Sequence, residues 1–255
     1  MEPSERISAA IRARAAQGQP ALVGYLTAGF PTVGQFKSNL AAVAGACDVV
    51  EIGVPFSDPM ADGTTIQRAS FAALENGVTL PWILQQLKSI EPRHSAPILL
   101  MSYLNPLLAY GMEALARDAA AAGVTGIIVP DLPFEESSDV SAAFAPEGLA
   151  LVQMVTPVTP PGRLSMLCQA AKGFVYAVTM TGTTGKSAEV PRDVLDYMDR
   201  VKRCSGVPVC AGFGIRSRSQ VARFAPHVDG VVVGSALVES LERGEDVGAF
   251  LQSLR

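Results

Sequence analysis

The stretch DVVEIGVPFSDPMADGTTIQ, residues 48–67, opens as an apolar strand and leaves it at once for a loop. Its first seven residues are apolar almost without a break. That is the mark of a strand in a parallel sheet whose outer face is covered, not of one with an alternating wet side. Inside the apolar run stands Glu51, and the loop after it carries Asp58 and Asp62. A carboxylate in a strand that otherwise reads as buried is costly, so it needs a partner or a job. Burial also raises its pKa toward the range where an acid or base works near neutrality. Two carboxylates in unlike surroundings are the pattern of an acid/base pair. Each also has an ordinary explanation. Glu51 can be a structural carboxylate with a neighbouring partner, and Asp62-Gly63 and Ser57-Asp58-Pro59 can simply be turns.

Working outward, further apolar runs recur on both sides at helix-length intervals. They are ALVGYLT (21–27), PILLMS (97–102), GIIVP (126–130), LALVQMV (149–155), GFVYAVT (173–179), PVCAG (208–212) and DGVVVGS (229–235). Helical patterns fill the gaps, among them VGQFKSNLAAVAG, LPWILQQLKSI, GMEALARDAAAAG, SSDVSAAFA, PGRLSMLCQAAK, RDVLDYMDRVKRC and SRSQVARF. Several close on Gly before the next strand, a normal helix C-cap. Eight strands alternating with helices predict an α/β chain folded as a TIM (β/α)₈ barrel, with a doubly wound open sheet as the competing arrangement. No low-complexity linker divides the chain, so residues 1–255 read as one barrel domain. An extra N-terminal helix, about Ser4 to Ala16, is expected to cap the bottom of the barrel.

Composition narrows the function. Twenty basic against 24 acidic residues leave a net charge of −4, which offers no electrostatic footprint for nucleic acid, and no polybasic patch suggests a membrane surface. The N-terminus MEPSERISAAIRARAAQ has no apolar core of the kind a signal peptide needs, and no run is long enough to span a membrane. Cys47, Cys168, Cys204 and Cys210 form no CxxC pair and read as small core residues of a cytoplasmic protein. His94 and His227 lack metal-ligand spacing.

Barrel enzymes carry their chemistry at the C-terminal ends of the strands and in the loops beyond. That rule selects Glu51, Asp62, Tyr103, Asn105, Asp131 and Tyr176. It also selects AGFGIRS after the seventh strand and GSALVES after the eighth. The glycines at 212, 214 and 234 would let backbone N–H groups approach an anion, and Ser235 would open a short helix whose dipole favours one. Loops seven and eight are the usual phosphate site of this fold, although the same glycines could merely make tight turns. TMTGTTGKSAE, 179–189, is long and rich in hydroxyls, in keeping with a lid or with a plain connector.

Six blocks, YLTAGFPT (25–32), VEIGVPFSDPMADG (50–63), GIIVPDLPFEES (126–137), GFVYAVTMTGTTG (173–185), AGFGI (211–215) and VVVGSA (231–236), together resemble the tryptophan synthase α subunit family over the whole chain. The resemblance implies a lyase that cleaves indole-3-glycerol phosphate into indole and glyceraldehyde 3-phosphate. It implies that Glu51 is the general acid and base. Asp62 would accept the indole N–H and stabilise positive charge on the ring. Tyr176 would pack beside the glutamate, Phe213 would meet the indole, and Thr184 would bond Asp62 when the lid closes. Gly185, Gly214, Gly234 and Ser235 would contact phosphate. No cofactor is implied for this chain. The implied partner is a β subunit that carries pyridoxal phosphate and receives indole within an αββα complex, with contact through the Pro55–Pro59 loop. A stand-alone lyase releasing free indole is the alternative. A barrel that only activates its partner is disfavoured by the intact carboxylates, and an indole-3-glycerol phosphate synthase by the lack of a lysine within any strand. Thr64, the GTTG of the lid and Ala177 depart from common residues of the family, and none removes a catalytic group.

Overall fold

A computed structural model describes residues 1–90, 96–179, 190–212 and 214–255. Its strands are β1 Ala21–Thr27, β2 Val49–Gly53, β3 Ile98–Met101, β4 Val124–Ile128, β5 Ala150–Val155, β6 Val175–Val178, β7 Val209–Gly212 and β8 Gly230–Val233. They pair in chain order, all parallel, and β8 closes on β1, so the chain forms the closed barrel that the repeating pattern predicts. The helices are α1 Pro3–Ala15, α2 Phe36–Ala46, α3 Thr64–Glu75, α4 Leu80–Lys88, α5 Leu104–Tyr110 and α6 Met112–Ala121. They continue with α7 Ser138–Phe144, α8 Pro161–Ala170, α9 Arg192–Cys204, α10 Arg218–Phe224, α11 Ser235–Glu242 and α12 Val247–Ser253.

The period of two along each strand divides the apolar residues between two cores. Leu22, Leu26, Val50, Ile52, Leu100 and Ile127 point outward into the layer beneath the helices. Val23, Tyr25, Val49, Leu99, Met101 and Ile128 point into the barrel. Both faces of the strands are therefore buried, apart from partly buried Met154 and Val178, which is why the sequence shows continuous apolarity instead of alternation.

Helix α1 seals one end. Ile7 and Ile11 are fully buried and join the inner core. Each such side chain contributes about 1.5–3 kcal/mol by leaving water. Ser8 Oγ donates to Gly173 O at 2.5 Å, and Ser4 N to Gly148 O at 3.0 Å. Asp48, just before β2, ties the same end together. It accepts from Leu22 N at 2.8 Å, Arg14 Nε at 3.0 Å and Arg255 Nη2 at 2.9 Å. Among the described residues, the opposite end, where the strands finish, is not covered by a helix of this kind and holds a cavity.

Some sequence expectations shift. Strand β4 starts two residues before its expected position because Thr125, polar but buried, donates to Ile98 O at 2.9 Å and so sits comfortably inside the sheet. Cys204 is exposed and is not a core residue: it is the last residue of α9, where the helix turns back to solvent, while the other three cysteines are buried. Among the described residues no helix is long and apolar enough to cross a membrane, and no group of three or more His, Cys, Asp or Glu is placed to hold a metal ion.

Candidate active site

Glu51 projects into the cavity end of the barrel, in register with Tyr25 of β1 and Leu99 of β3. It is 1% exposed, and its Oε2 is buried with no hydrogen-bond partner. Burial first, and the charge of Asp62 second, push its pKa up to about 8. At neutral pH it is thus a carboxylic acid carrying a proton, not a carboxylate.

Asp62 sits across the cavity on the loop that follows β2. Its backbone N–H donates to Pro59 O at 3.1 Å, and Gln67 Nε2 donates to Asp62 O at 2.9 Å. Tyr103 OH donates to Asp62 Oδ2 at 3.1 Å and accepts from Ala61 N at 2.9 Å. The ring of Tyr103 stacks on Phe56, with centroids 5.1 Å apart. Phe56 is in turn held by Ser70 of α3, which accepts from Phe56 N at 2.8 Å and donates to Phe56 O at 3.1 Å. Burial pushes the Asp62 pKa up to about 6, while the Tyr103 hydrogen bond pulls it down. Two carboxyl groups, one protonated and one ionised at neutral pH, therefore face one space.

Two tyrosines wall this pair. A Cβ at Gly53 would lie 2.1 Å from the Tyr25 hydroxyl, and one at Gly212 would lie 2.2 Å from Cε1 of Tyr176. Each glycine leaves room for a ring from a neighbouring strand. Gly212 thus has a packing reason that the sequence reading had given to anion binding.

The far end of the cavity is built from the loops after β7 and β8. Gly214 has φ +80°, a backbone that favours glycine. Gly234 precedes α11 and Ser235 opens it, so the leading amides of that helix have no intrahelical acceptor and are available to an anion. Glu51, Asp62, Tyr176, Gly214, Gly234 and Ser235 all line a single cavity of about 730 Å³, with Ile66, Met101 and Val232 as apolar wall. That volume suits a small two-part ligand, and the lining is acidic at one end and amide-rich at the other. Thr184, Gly185 and Phe213 lie outside the described residues, as does the loop with Lys186. Asp58, by contrast, faces solvent beside Met60, which is 84% exposed.

Sequence reasoning missed Tyr25 and Thr65 as lining residues, and it gave no role to Arg216 and Glu239 within the selected AGFGIRS and GSALVES segments; all four border the same cavity. Tyr103 carried one signal, its place directly after β3, but its bond to Asp62 spans 41 residues and two loops.

Comparison with known proteins agrees on one family. The family described as "Tryptophan synthase alpha chain" matches residues 11–252. The tryptophan synthase alpha chain of Nitratidesulfovibrio vulgaris (strain DP4) is 43% identical over 251 residues, covering 98% of each chain. Among solved structures, tryptophan synthase from M. tuberculosis in an aminoacrylate-bound form superposes with a TM-score of 0.87 at 37% identity, covering 98% of this chain and 97% of that one. The tryptophan synthase a2b2 complex from Pyrococcus furiosus, described for its mutual activation, gives 0.86 at 36% identity, covering 92% and 97%.

Proposed function

The chain belongs to the tryptophan synthase alpha chain family, and from that premise we propose that it cleaves indole-3-glycerol phosphate with Glu51 as proton donor and Asp62 as the stabilising charge. The observation that supports the assignment of roles is the unlike setting of the two carboxyl groups on one cavity: Glu51 is buried with Oε2 unpartnered, and Asp62 accepts from Tyr103. Glu51 holds a proton up to about pH 8, and Asp62 is ionised above about pH 6. The phosphate of the substrate lies against Gly214, Gly234 and Ser235, and the indole lies between Glu51 and Asp62.

The chemistry follows from those states. Glu51 gives its proton to carbon 3 of the indole ring, which becomes a cationic electron sink. Asp62 accepts a hydrogen bond from the ring N–H and lowers the energy of that cation through its charge. The side-chain hydroxyl next to the ring then loses its proton to the Glu51 carboxylate. Its oxygen forms the aldehyde, the carbon–carbon bond breaks, and the bonding electrons return to the ring. Indole and glyceraldehyde 3-phosphate result, and Glu51 is again protonated. Proton transfer alone suffices, so no cofactor is assigned to this chain, and pyridoxal phosphate belongs to a β subunit. Four free thiols, three of them buried, fit a cytoplasmic enzyme, and the closed ring of strands fits one barrel domain over 1–255. Supplying purified protein with indole-3-glycerol phosphate and following indole release tests the activity.

The rate should be bell-shaped in pH, rising as the carboxyl pair ionises near 6 and falling as it loses its second proton near 8. Tyr103→Phe removes the bond that lowers the Asp62 pKa, so the acid limb should move to higher pH. An acid limb that does not move would mean that Tyr103 does not tune Asp62.

The partner reading rests on the segment Pro55–Pro59 and its neighbour Met60, which together put exposed apolar and acidic groups within a few residues of Asp62. A β subunit that docks there would bias Asp62 toward its working position and raise turnover. Asp58→Ala should then lower the ratio of indole release with and without saturating β subunit. An unchanged ratio argues that the subunits meet elsewhere, and a chain that binds no β subunit is a stand-alone lyase.

A further inference from the structure

The amide-rich end of the cavity also holds a charged side chain that no step above uses. Arg216, from the loop after β7, lines the same cavity as Gly214, Gly234 and Ser235. Its guanidinium is clamped by Glu239 of α11. Nη1 donates to Oε1 at 3.3 Å, and Nη2 donates to Oε2. Glu239 has other partners: Thr65 Oγ1 donates to Oε1 at 3.2 Å, and Arg243 Nη1 lies 4.0 Å from Oε2. The Arg216 side chain is 50% exposed and that of Glu239 24% exposed. An ion pair this wet is held weakly and can be exchanged. A phosphate monoester near neutral pH carries close to two negative charges and three acceptor oxygens, a better match for the guanidinium fork than one carboxylate.

We propose that Arg216 is a phosphate-binding residue of this enzyme, held in waiting by Glu239 and transferred to the substrate phosphate when the cavity fills. The proposal rests on the placement of the phosphate at Gly214, Gly234 and Ser235 given above. On transfer Glu239 keeps the Thr65 hydrogen bond and its contact with solvent, with Arg243, itself bonded to Glu245, 4.0 Å away, so its carboxylate is not left buried and unpaired. Arg216 would select for the charged end of the substrate and take no part in proton transfer.

The test uses the intact chain, with inorganic phosphate as an inhibitor of indole-3-glycerol phosphate cleavage. Arg216→Gln should raise both KM and the inhibition constant of phosphate roughly tenfold, the worth of one charge-assisted hydrogen bond, with little change in kcat. Glu239→Gln keeps an acceptor for Thr65 and releases Arg216, so it should tighten phosphate. In an Arg216→Gln background the same Glu239→Gln change should do nothing, which separates contact from a general field effect. Arg216→Lys keeps the charge but loses the fork, so its inhibition constant should fall between those of the unaltered chain and Arg216→Gln.

Three results would overturn the proposal while leaving the phosphate placement standing: phosphate inhibition untouched in Arg216→Gln, inhibition weakened equally in both single variants, as a merely loop-holding bridge requires, or a Glu239→Gln effect that persists without Arg216. If inorganic phosphate fails to compete even in the unaltered chain, the phosphate placement itself falls, and the proposal falls with it.

Discussion

Glu51→Gln should leave a folded protein that releases indole roughly 10²–10⁴-fold more slowly, the usual worth of a positioned proton donor. The amide has nearly the shape of the carboxyl group but no proton to give to the ring. A second signature separates this from simple damage. The Glu51 pKa is raised from 4.5 to about 8, so its charged form is the one that folding disfavours. Below the lower value both folded and unfolded chains hold the proton, and ionisation costs nothing. Between the two values the unfolded chain gains by ionising and the folded chain does not, so the cost to stability grows with pH. Above about 8 it levels off, at on the order of a few kcal/mol. Glutamine does not titrate. The Tm of Glu51→Gln relative to the unaltered chain should therefore climb between about pH 5 and about pH 8. A flat difference would mean that Glu51 is not a buried acid, and near-normal turnover would mean that the proton comes from elsewhere. Slow turnover and the climbing Tm difference together would make Glu51 a case of stability given up for activity.

The barrel was legible because its strands are buried almost throughout on both faces, so runs such as ALVGYLT match β1 residue for residue. Helices were harder where local signals conflict. In α5 the pair Asn105-Pro106 reads as a break, yet the proline falls in the first turn, where its missing N–H costs no hydrogen bond. Helix α3 begins directly after Asp62-Gly63, a dipeptide that reads as a turn, and Gly63 is in fact its N-cap. Short α12 depends on Asp246, whose side chain accepts from Ala249 N at 3.0 Å.

For the site, strand-end positions are a property of the fold and could be read in advance. Glu51, Tyr176, Gly234 and Ser235 meet at one cavity because barrel topology brings strand ends together. Pairings between loops have no such rule. The bond from Tyr103 to Asp62 and the clamp of Glu239 on Arg216 join residues 41 and 23 apart, and no local pattern marks either.

Asp62→Asn asks whether the second carboxyl acts by its charge or merely by accepting hydrogen bonds. Asparagine can still present an oxygen to Tyr103 and to the ring N–H, so positioning survives while the charge is lost. Turnover should fall by roughly 10²–10³-fold, the range seen when one preorganised stabiliser of developing charge is removed. The pH profile should change at both ends. Its acid limb near 6 should disappear, because no group remains there to ionise. Its alkaline limb should move below 8, because the Asp62 charge is one of the two causes that raise Glu51, and a neutral neighbour lets Glu51 ionise more readily. The two limbs belong to the coupled pair, so a change at one carboxyl must appear at the other. Normal turnover in Asp62→Asn would remove the charge from the mechanism. Lost turnover with an unmoved alkaline limb would mean that the two groups do not sense each other, and that Glu51 is held protonated by burial alone.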